Sequence, residues 1–428
     1  MQCHIISIGN ELLIGDTINT NASWLGDVLT KIGIDVTHVH TIGDDYAIMK
    51  ATLNTALDEA DLIITTGGLG PTHDDITKKV VTELFECELK VDKEILEFIK
   101  KVFRERNIPF SKSNYHQAEV PDCCEALFNS QGTAPGMWFD RQGTKLAVLP
   151  GVPYEMKHLM NEKVLPKIQS SYRESVFRYS HYITTAGVGE STLSDRIIGD
   201  LTATLPKEVS VAYLPSPQGT RIRVSAYGSS REEVDEKIKP VIEHIKRKAG
   251  YLIIGEGKDL TLAEAVGQTL AEHKLLLATA ESCTGGYVAN AITNIPGSSR
   301  YFKGGISAYS NEVKMNQLGV NGESIEQYGA VSKAVALEMA EGAAKQLGTD
   351  MAISTTGVAG PGGGTEEKPV GTVWIGFYSN KQHFALDARF TNDRLINKER
   401  SAAVALEMVR RCILDIDEMP YGLKKNQA

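Results

Sequence analysis

Residues 279–286 read Thr279-Ala280-Glu281-Ser282-Cys283-Thr284-Gly285-Gly286, and they are the most informative segment of this chain. It follows an apolar run at residues 275–278, which predicts a buried strand, and it precedes residues 287–292, which predict a helix. A small, glycine-rich turn between a strand and a helix leaves backbone N–H groups facing whatever lies above it. The hydroxyls and the carboxylate indicate chemistry on an anionic or carbonyl-bearing small molecule. In the plainer alternative, Ser282 or Thr284 only caps the helix.

The bulk composition excludes several classes of protein. The 428 residues, with 42% hydrophobic content, predict two to four domains. A net charge of −9 and a pI near 5.7 argue against nucleic-acid binding and against a polybasic membrane anchor. The sequence shows neither a signal-peptide pattern nor an apolar run of membrane-spanning length, so no membrane partner is expected. Six cysteines without metal-ligand spacing predict free thiols in a reducing cytoplasm: Cys3, Cys87, Cys123, Cys124, Cys283 and Cys412.

The first part of the chain alternates strand and helix patterns. The strands are predicted at residues 4–9, 35–39 and 62–66, and the helices at residues 21–32 and 49–60. This alternation predicts an α/β domain in three layers, a parallel sheet covered on both faces. Its last strand is expected at residues 145–149, and the domain is expected to span residues 1–170.

The remainder of the chain predicts two further domains. Residues 171–256 indicate a small α+β connecting domain, with an amphipathic helix at 231–248 that Pro240 can kink or divide. The basic face of this helix can contact RNA, although a solvated face is the simpler interpretation.

A linker is indicated at the glycine-rich residues 255–258, and a second α/β domain is predicted for residues 258–417. Its first helix is expected to begin with a capping box formed by Thr261 and Glu264. The polar tail at residues 421–428 is expected to fray.

A second glycine-rich turn, Thr65-Thr66-Gly67-Gly68-Leu69-Gly70-Pro71-Thr72-His73-Asp74-Asp75, follows the third predicted strand. Ligands of open α/β sheets bind at the carboxyl ends of strands, so this turn and its neighbouring loops predict a phosphate site. Asp74 and Asp75 can hold a divalent metal against phosphate oxygens, or they only cap a helix. The predicted site comprises Glu11, Asp44, Gly67, Gly68, Gly70, Asp74 and Asp75.

Further motifs accompany Ser282 in the last domain. They are Pro296-Gly297-Ser298-Ser299, Tyr309-Ser310-Asn311-Glu312-Val313-Lys314, Gly329-Ala330-Val331-Ser332, Thr355-Thr356-Gly357-Val358-Ala359-Gly360-Pro361 and the loop Gly362-Gly363-Gly364-Thr365-Glu366-Glu367-Lys368-Pro369. Together they resemble nicotinamide mononucleotide deamidases over residues 258–417.

The N-terminal domain resembles the molybdopterin-binding fold of molybdenum-cofactor biosynthesis enzymes. The Thr-Gly-Gly-x-Gly-Pro turn, Asp44 and Asp75 carry this resemblance over residues 1–170, whereas Leu69 replaces the usual threonine. The whole chain resembles the competence/damage-inducible protein A family, which joins such a domain to a deamidase.

The resemblance implies two activities. One is hydrolysis of nicotinamide mononucleotide to nicotinate mononucleotide and ammonia, without a cofactor. The other is a metal-dependent ADP-ribose pyrophosphatase in the N-terminal domain. It also implies a role for Arg394, within Asn392-Asp393-Arg394, while Lys398 replaces a usual arginine. The substrate-binding residues are expected to be Thr284, Gly285, Ser299, Tyr309, Thr356, Gly357 and Lys368, in a cytoplasmic homodimer.

Amide hydrolysis by Ser282 requires a base. Residues 274–382 contain no histidine, so these motifs do not predict a Ser-His-Asp triad, and Lys314 is the remaining candidate. Its pKa would have to fall by about 3 units, through burial or a neighbouring cation such as Arg394. A surface lysine is the alternative interpretation of Lys314, and a cysteine enzyme that uses Cys283 is a less favoured mechanism.

Two other functions stay open at this point. One is a non-enzymatic competence or DNA-damage accessory protein, and the other is a molybdenum-cofactor-binding protein.

Overall fold

The N-terminal domain is built on a sheet that is parallel on one side and antiparallel on the other. The computed structural model describes residues 1–70, 75–171, 177–201 and 205–428. The strands of this part are β1 (Gln2–Ile8), β2 (Asp35–Ile42), β3 (Leu62–Thr66), β4 (Leu89–Val91), β5 (Glu119–Pro121), β6 (Glu125–Leu127), β7 (Gly136–Arg141) and β8 (Thr144–Leu149). Six of them form one sheet in the order β2-β1-β3-β8-β7-β6, in which β2, β1, β3 and β8 are parallel. β7 pairs antiparallel with β8 and with β6, and β4 pairs with β5 in a separate ribbon.

Helices cover both faces of this sheet. They are α1 (Asn10–Leu13), α2 (Thr20–Lys31), α3 (Tyr46–Glu59), α4 (Thr77–Leu84), α5 (Lys93–Glu105), α6 (Lys112–Gln117), α7 (Pro153–Leu159) and α8 (Leu165–Ser171). Leu25 of α2 and Met156 of α7 lie in the core on one face, and Leu53 of α3 and Val80 of α4 lie in the core on the other. The predicted three-layer α/β domain is confirmed, and the short antiparallel strands are an addition to it.

The prediction that all six cysteines are free thiols is wrong. Cys87 and Cys123 form a disulfide that joins the chain before β4 to the chain after β5. Cys3, Cys124, Cys283 and Cys412 are free. Sequence spacing could not reveal the pair, because the β4–β5 ribbon brings together two cysteines 36 residues apart.

The middle region folds as an antiparallel sheet with one long helix. Its strands are β9 (Phe177–Thr185), β10 (Val209–Ser216), β11 (Gly219–Gly228) and β12 (Ile253–Glu256), in the order β10-β11-β9-β12. Helix α9 (Arg231–Ala249) runs through Pro240 without a break. The predicted linker is partly wrong, because Gly255 and Glu256 pair with β9.

The C-terminal sheet is again mixed. Its strands are β13 (Leu277–Glu281), β14 (Phe302–Ser307), β15 (Met351–Gly357), β16 (Thr372–Ser379), β17 (His383–Arg389) and β18 (Asn426–Gln427), in the order β14-β13-β15-β16-β17-β18. β13 pairs parallel with β14 and β15, and the other pairings are antiparallel. The prediction that the tail frays is wrong, because Asn426 and Gln427 extend this sheet.

Six helices accompany the C-terminal sheet: α10 (Leu262–Glu272), α11 (Tyr287–Thr293), α12 (Asn311–Leu318), α13 (Gly322–Tyr328), α14 (Lys333–Leu347) and α15 (Arg394–Ile413). Thr261 caps α10 by accepting a hydrogen bond from the Glu264 amide, as the capping pattern predicts. No helix in the described ranges has the length and apolarity needed to cross a membrane. The chain divides into two units, Met1–Tyr179 with Tyr227–Val234, and Ser180–Ala226 with Asp235–Ala428.

A buried ion network holds α15 in the second unit. Glu407, 1% exposed, accepts two hydrogen bonds from Arg410, at 2.7 and 2.8 Å, and one from Arg411 at 2.7 Å. Arg410 also donates to the Tyr251 carbonyl at 2.7 Å, and Arg411 donates to the Ala186 carbonyl at 3.3 Å. The two guanidinium groups therefore connect α15 to the middle region.

Replacing Glu407 with glutamine should strongly destabilise the second unit, because two buried guanidinium groups would lose their counter-charge. We expect a loss of about 3–5 kcal/mol in the free energy of unfolding, measured by native-state hydrogen exchange of the α15 amides. Glu341→Gln is the matched control, since its ion pair with Lys345 is largely exposed to solvent and should contribute little to stability. Equal losses in the two variants would contradict a stabilising network.

Candidate active sites

Ser282 lies directly after β13, where the strand turns toward α11. Its amide donates to the Thr355 carbonyl at 2.8 Å, which ties the turn to β15, and the residue is 8% exposed. The N-cap of α11 is Gly286, so neither Ser282 nor Thr284 caps the helix and the plainer interpretation of the turn is wrong. Within the described part of the chain, no acceptor takes a hydrogen bond from the Cys283 or Thr284 amide. Because Cys283 lines the cavity above Ser282 while Thr284 is fully buried outside its lining, the Cys283 N–H group is the one available to a ligand.

Lys314 reaches Ser282 from α12. Its Nζ lies 2.9 Å from Ser282 Oγ, 2.9 Å from the Ala308 carbonyl oxygen and 3.4 Å from the Tyr309 carbonyl oxygen. The residue is 1% exposed, so the interpretation of Lys314 as a surface lysine is wrong. Burial lowers the pKa of the Lys314 ammonium, and the nearby Cys283 opposes this to a smaller degree. Arg394, suggested above as a cause of this lowered pKa, does not contribute to it.

The three partners of Lys314 fit an ammonium, which donates to all three oxygens, and they also fit the neutral amine that a base requires. A carbonyl oxygen can only accept, so the contacts with Ala308 and Tyr309 use two N–H groups. A neutral amine has two N–H groups and one lone pair. The remaining position faces Ser282 Oγ, where that lone pair can accept the serine hydroxyl proton.

The neighbouring thiol is in a different state. Cys283 is buried, and burial raises the pKa of its thiol to about 12. A thiol with that pKa stays protonated near neutral pH and is a weak nucleophile. Its environment favours Ser282 over Cys283 as the reacting group.

Glu281 and Thr284 support the turn from within. Glu281 is buried, and its carboxylate accepts hydrogen bonds from the Val288 amide at 3.0 Å, the Ala289 amide at 2.8 Å and the Thr284 hydroxyl at 2.7 Å. Because the Thr284 hydroxyl is committed to this carboxylate, its predicted contact with substrate is not favoured by the structure.

A cavity of about 280 Å³ lies above Ser282. Arg394 closes one side, donating to the Gly360 carbonyl at 2.7 Å and to the Tyr309 hydroxyl at 3.2 Å. The predicted residues that line the cavity are Ser282, Lys314, Arg394, Tyr309, Thr356 and Gly357. Asn311 and Ala359 also line it and were not predicted as site residues, although both stand in the motifs quoted above.

Four predicted substrate residues do not line this cavity. Ser299 is exposed on a short 3₁₀ turn, and Lys368 donates to the Tyr328 carbonyl at 2.6 Å. Gly285 lies outside the lining beside the Lys398 side chain, and Thr284 is held by Glu281. Membership in a motif therefore did not predict which residues lie outside the cavity.

The N-terminal candidate residues also share a cavity, of about 470 Å³. Glu11, Asp44, Gly67, Gly68, Gly70 and Asp75 all line it, while Asp74 lies outside the described residues. A Cβ on Gly67 would collide with the Ile8 carbonyl oxygen, so this position needs glycine for the chain to pass. The Asp75 carboxylate lies against Gly70, where a Cβ would be 2.5 Å from Oδ2.

Glu155 also lines this cavity and was not predicted from the sequence. Glu155 is 7% exposed on α7, accepts a hydrogen bond from Asn129 at 2.7 Å, and has its pKa raised mainly by burial. It follows the carboxyl end of β8, so the rule that indicated Asp44 and Asp75 could also have indicated Glu155. Within the described ranges, no group of three or more His, Cys, Asp or Glu side chains is arranged to hold a metal ion.

Three family models match successive parts of the chain. Residues 4–170 match the "Probable molybdopterin binding domain", residues 180–255 the "Damage-inducible protein CinA KH domain", and residues 259–413 the "CinA C-terminal domain". These matches confirm the predicted fold class and the predicted family resemblance. The domain bounds and the roles of the site residues stay predictions.

Full-length relatives agree with these matches. A CinA-like protein of Chloroherpeton thalassium is 44% identical, over 96% of this chain and 99% of its own. A CinA-like protein of Salinibacter ruber is 41% identical, over 96% of this chain and 100% of its own. The crystal structure of the protein CinA from Thermoplasma acidophilum is 33% identical over 40% of this chain and 96% of its own, with a TM-score of 0.36.

Proposed function

Because this chain belongs to the CinA family of competence/damage-inducible proteins, we propose that its C-terminal domain hydrolyses the carboxamide of nicotinamide mononucleotide. The products are nicotinate mononucleotide and ammonia. The single observation that carries this proposal is the buried contact of 2.9 Å between Lys314 Nζ and Ser282 Oγ. It supplies an amine base for a serine nucleophile in a domain without a nearby histidine.

The proposed reaction has two steps. Ser282 Oγ attacks the carboxamide carbon while Lys314 takes the hydroxyl proton and passes it to the leaving nitrogen, which departs as ammonia. Water then attacks the acyl-serine ester with Lys314 again as base, and the carboxylate and free Ser282 are released. The amide of Cys283, which lines the cavity, is suited to stabilise the oxyanion in both steps. This chemistry requires no cofactor.

The cavity offers groups for the rest of the nucleotide. Arg394 provides a guanidinium for the phosphate, and the Tyr309 hydroxyl lies beside it. Thr356 donates its hydroxyl to the Ala330 carbonyl at 2.6 Å, which leaves its oxygen lone pairs to accept from the ligand. We propose that these three residues orient the substrate over Ser282.

Removing either member of the nucleophile–base pair should nearly abolish the reaction. Ser282→Ala and Lys314→Met should each lower turnover by roughly 10³-fold or more, measured as ammonia release from nicotinamide mononucleotide. The double variant should be little worse, because the two groups act as a unit. Methionine approximately fills the lysine volume, so the Lys314→Met fold should be retained in a thermal-unfolding scan.

Two control variants make this test specific. Lys303→Met places the same substitution on an exposed lysine and should leave turnover unchanged. Cys283→Ala should cost far less than Ser282→Ala. An inactive Cys283→Ala enzyme together with an active Ser282→Ala enzyme would replace the serine mechanism with a thiol mechanism.

The pH dependence should report the buried amine. Since Lys314 acts in its neutral form and burial lowers its pKa, kcat/KM should rise with pH through that lowered value, below the ordinary lysine value of about 10.4. The folded state binds fewer protons than the unfolded state between the two values, so stability relative to Lys314→Met should increase with pH across that window. A rate that is flat through the window would reject Lys314 as the base.

For the N-terminal domain we propose ADP-ribose pyrophosphatase activity. It is supported by one cavity that gathers a glycine turn, for close approach to phosphates, with the carboxylates of Asp44, Asp75, Glu11 and Glu155. Asp75, with Asp74, would hold a divalent metal that neutralises pyrophosphate charge when bound. Such ions commonly use one or two carboxylates together with substrate oxygens, so a three-ligand protein cluster is not required.

Chelation should separate the two activities. Treatment with EDTA and the substitution Asp75→Asn should each abolish ADP-ribose hydrolysis, while deamidation in the same samples persists. Asp58→Asn, on the exposed side of α3, is the matched control and should change neither. Metal-independent hydrolysis would contradict the assignment.

Binding of a pterin without hydrolysis would favour the alternative of a molybdenum-cofactor-binding protein. The absence of any activity on small molecules would favour the alternative of an accessory protein.

A further inference from the structure

A third cavity, of about 400 Å³, lies in the second unit between the middle region and the C-terminal domain. One wall is the turn at residues 188–190 with the β10–β11 hairpin, and the other is the end of β17 with α15 and the tail. The Tyr421 amide donates to the Gly187 carbonyl at 2.7 Å, which joins the two walls. Its volume is in the usual range for small-molecule sites, about 300–1,000 Å³.

Two arginines, Arg389 and Arg400, line this cavity. Across the ranges that the structure describes, neither Arg389 nor Arg400 forms an ion pair. The remaining charged residue of the lining is Glu190 on the opposite wall. Guanidinium groups bind phosphate and carboxylate oxygens with two parallel hydrogen bonds, so the cavity favours an anion.

Most of the remaining lining is apolar or aromatic, with Ser216 and Thr220 as its polar members. Val188, Ala388 and Val404 are buried, and Phe390 and Tyr421 contribute aromatic rings. Such surfaces favour a planar ring, through burial and stacking. Glu190 can accept hydrogen bonds from hydroxyl or amino groups on the same ligand.

The middle region does not carry the usual nucleic-acid device of its family. KH domains hold nucleic acid with a Gly-x-x-Gly loop, and residues 180–255 contain no Gly-x-x-Gly sequence. In this chain Val188, Gly189 and Glu190 contribute to the cavity instead.

We propose that this cavity is a binding site for a ring-bearing organic phosphate of mononucleotide size. Arg389 and Arg400 bind the phosphate, Phe390 and Tyr421 hold the ring, and Glu190 accepts from the sugar or an amino group. The site is separate from both cavities described above, and it does not depend on their proposed activities.

The probe for this site is adenosine 5′-monophosphate, which lacks the carboxamide that the deamidase would cleave. Titration calorimetry of the full chain should show binding that weakens at least tenfold in Arg389→Gln and in Arg400→Gln. Arg106→Gln, an exposed arginine of the first unit, is the matched control and should bind like the parent. Adenosine and ribose 5-phosphate, each lacking one half of the ligand, should bind at least tenfold more weakly. Unchanged melting temperatures would show that the variants fold.

Hydrogen exchange locates the binding event. The nucleotide should slow exchange in the peptide that covers residues 186–190, and this protection should disappear in Arg400→Gln. No binding at millimolar nucleotide, or binding that both arginine variants retain, would overturn the proposal. Protection confined to the turns at residues 67–70 or 282–286 would overturn it as well.

Discussion

The turn that carries Ser282 depends on one buried carboxylate, that of Glu281 at the end of β13. Gly286 begins α11 without a side-chain cap, so the first amides of this helix need another acceptor. Glu281 provides it by accepting from the amides of Val288 and Ala289. Charge-assisted hydrogen bonds of this kind are roughly twice as strong as neutral ones, so the turn is fixed in one conformation. Ser282, the next residue, is thereby directed into the cavity rather than toward the helix.

Burial then decides which groups can react. Excluding water from Lys314 lowers the pKa of its amine, and the same exclusion raises the pKa of the Cys283 thiol to about 12. One environment therefore favours a neutral base and disfavours a thiolate. Ser282 needs no shift of its own pKa, because the adjacent amine can remove its proton as it attacks. A serine–lysine pair is consistent with this environment in a way that a cysteine nucleophile is not.

Sequence patterns predicted the fold correctly where apolar residues form long runs or recur with the period of a helix or a strand. The parallel strands β1, β3 and β8 each contain a run of buried apolar residues, and their positions were predicted to within two residues. The strands β6 and β7 and the disulfide were missed, because short antiparallel strands and distant cysteine pairs leave no periodic signal. The strand β18 was missed because polar residues that join a sheet edge resemble a disordered tail.

The same limit applies to the sites. A motif indicates which loop approaches a ligand, but the direction of a side chain depends on contacts that are distant in sequence. Thr284 and Lys368 were predicted to bind substrate, yet their polar atoms bind Glu281 and the Tyr328 carbonyl. Glu155, in contrast, was missed although it lines a cavity. It shares this cavity with Asp75 because of the order of the strands in the sheet, which was not predicted from the sequence.

Helix α15 is where the parts of the second unit meet. Its first residue, Arg394, lines the cavity above Ser282, Arg400 lines the third cavity, and Glu407 holds the buried arginines that bind the middle region. Asn397 secures the start of this helix by donating to the Ala359 carbonyl at 2.9 Å and accepting from the Thr391 amide at 2.9 Å. One helix, fixed near each end, therefore carries residues of two cavities as well as the contacts with the middle region. The middle region lies against the element that lines the cavity above Ser282, and it contributes none of that cavity's described lining residues.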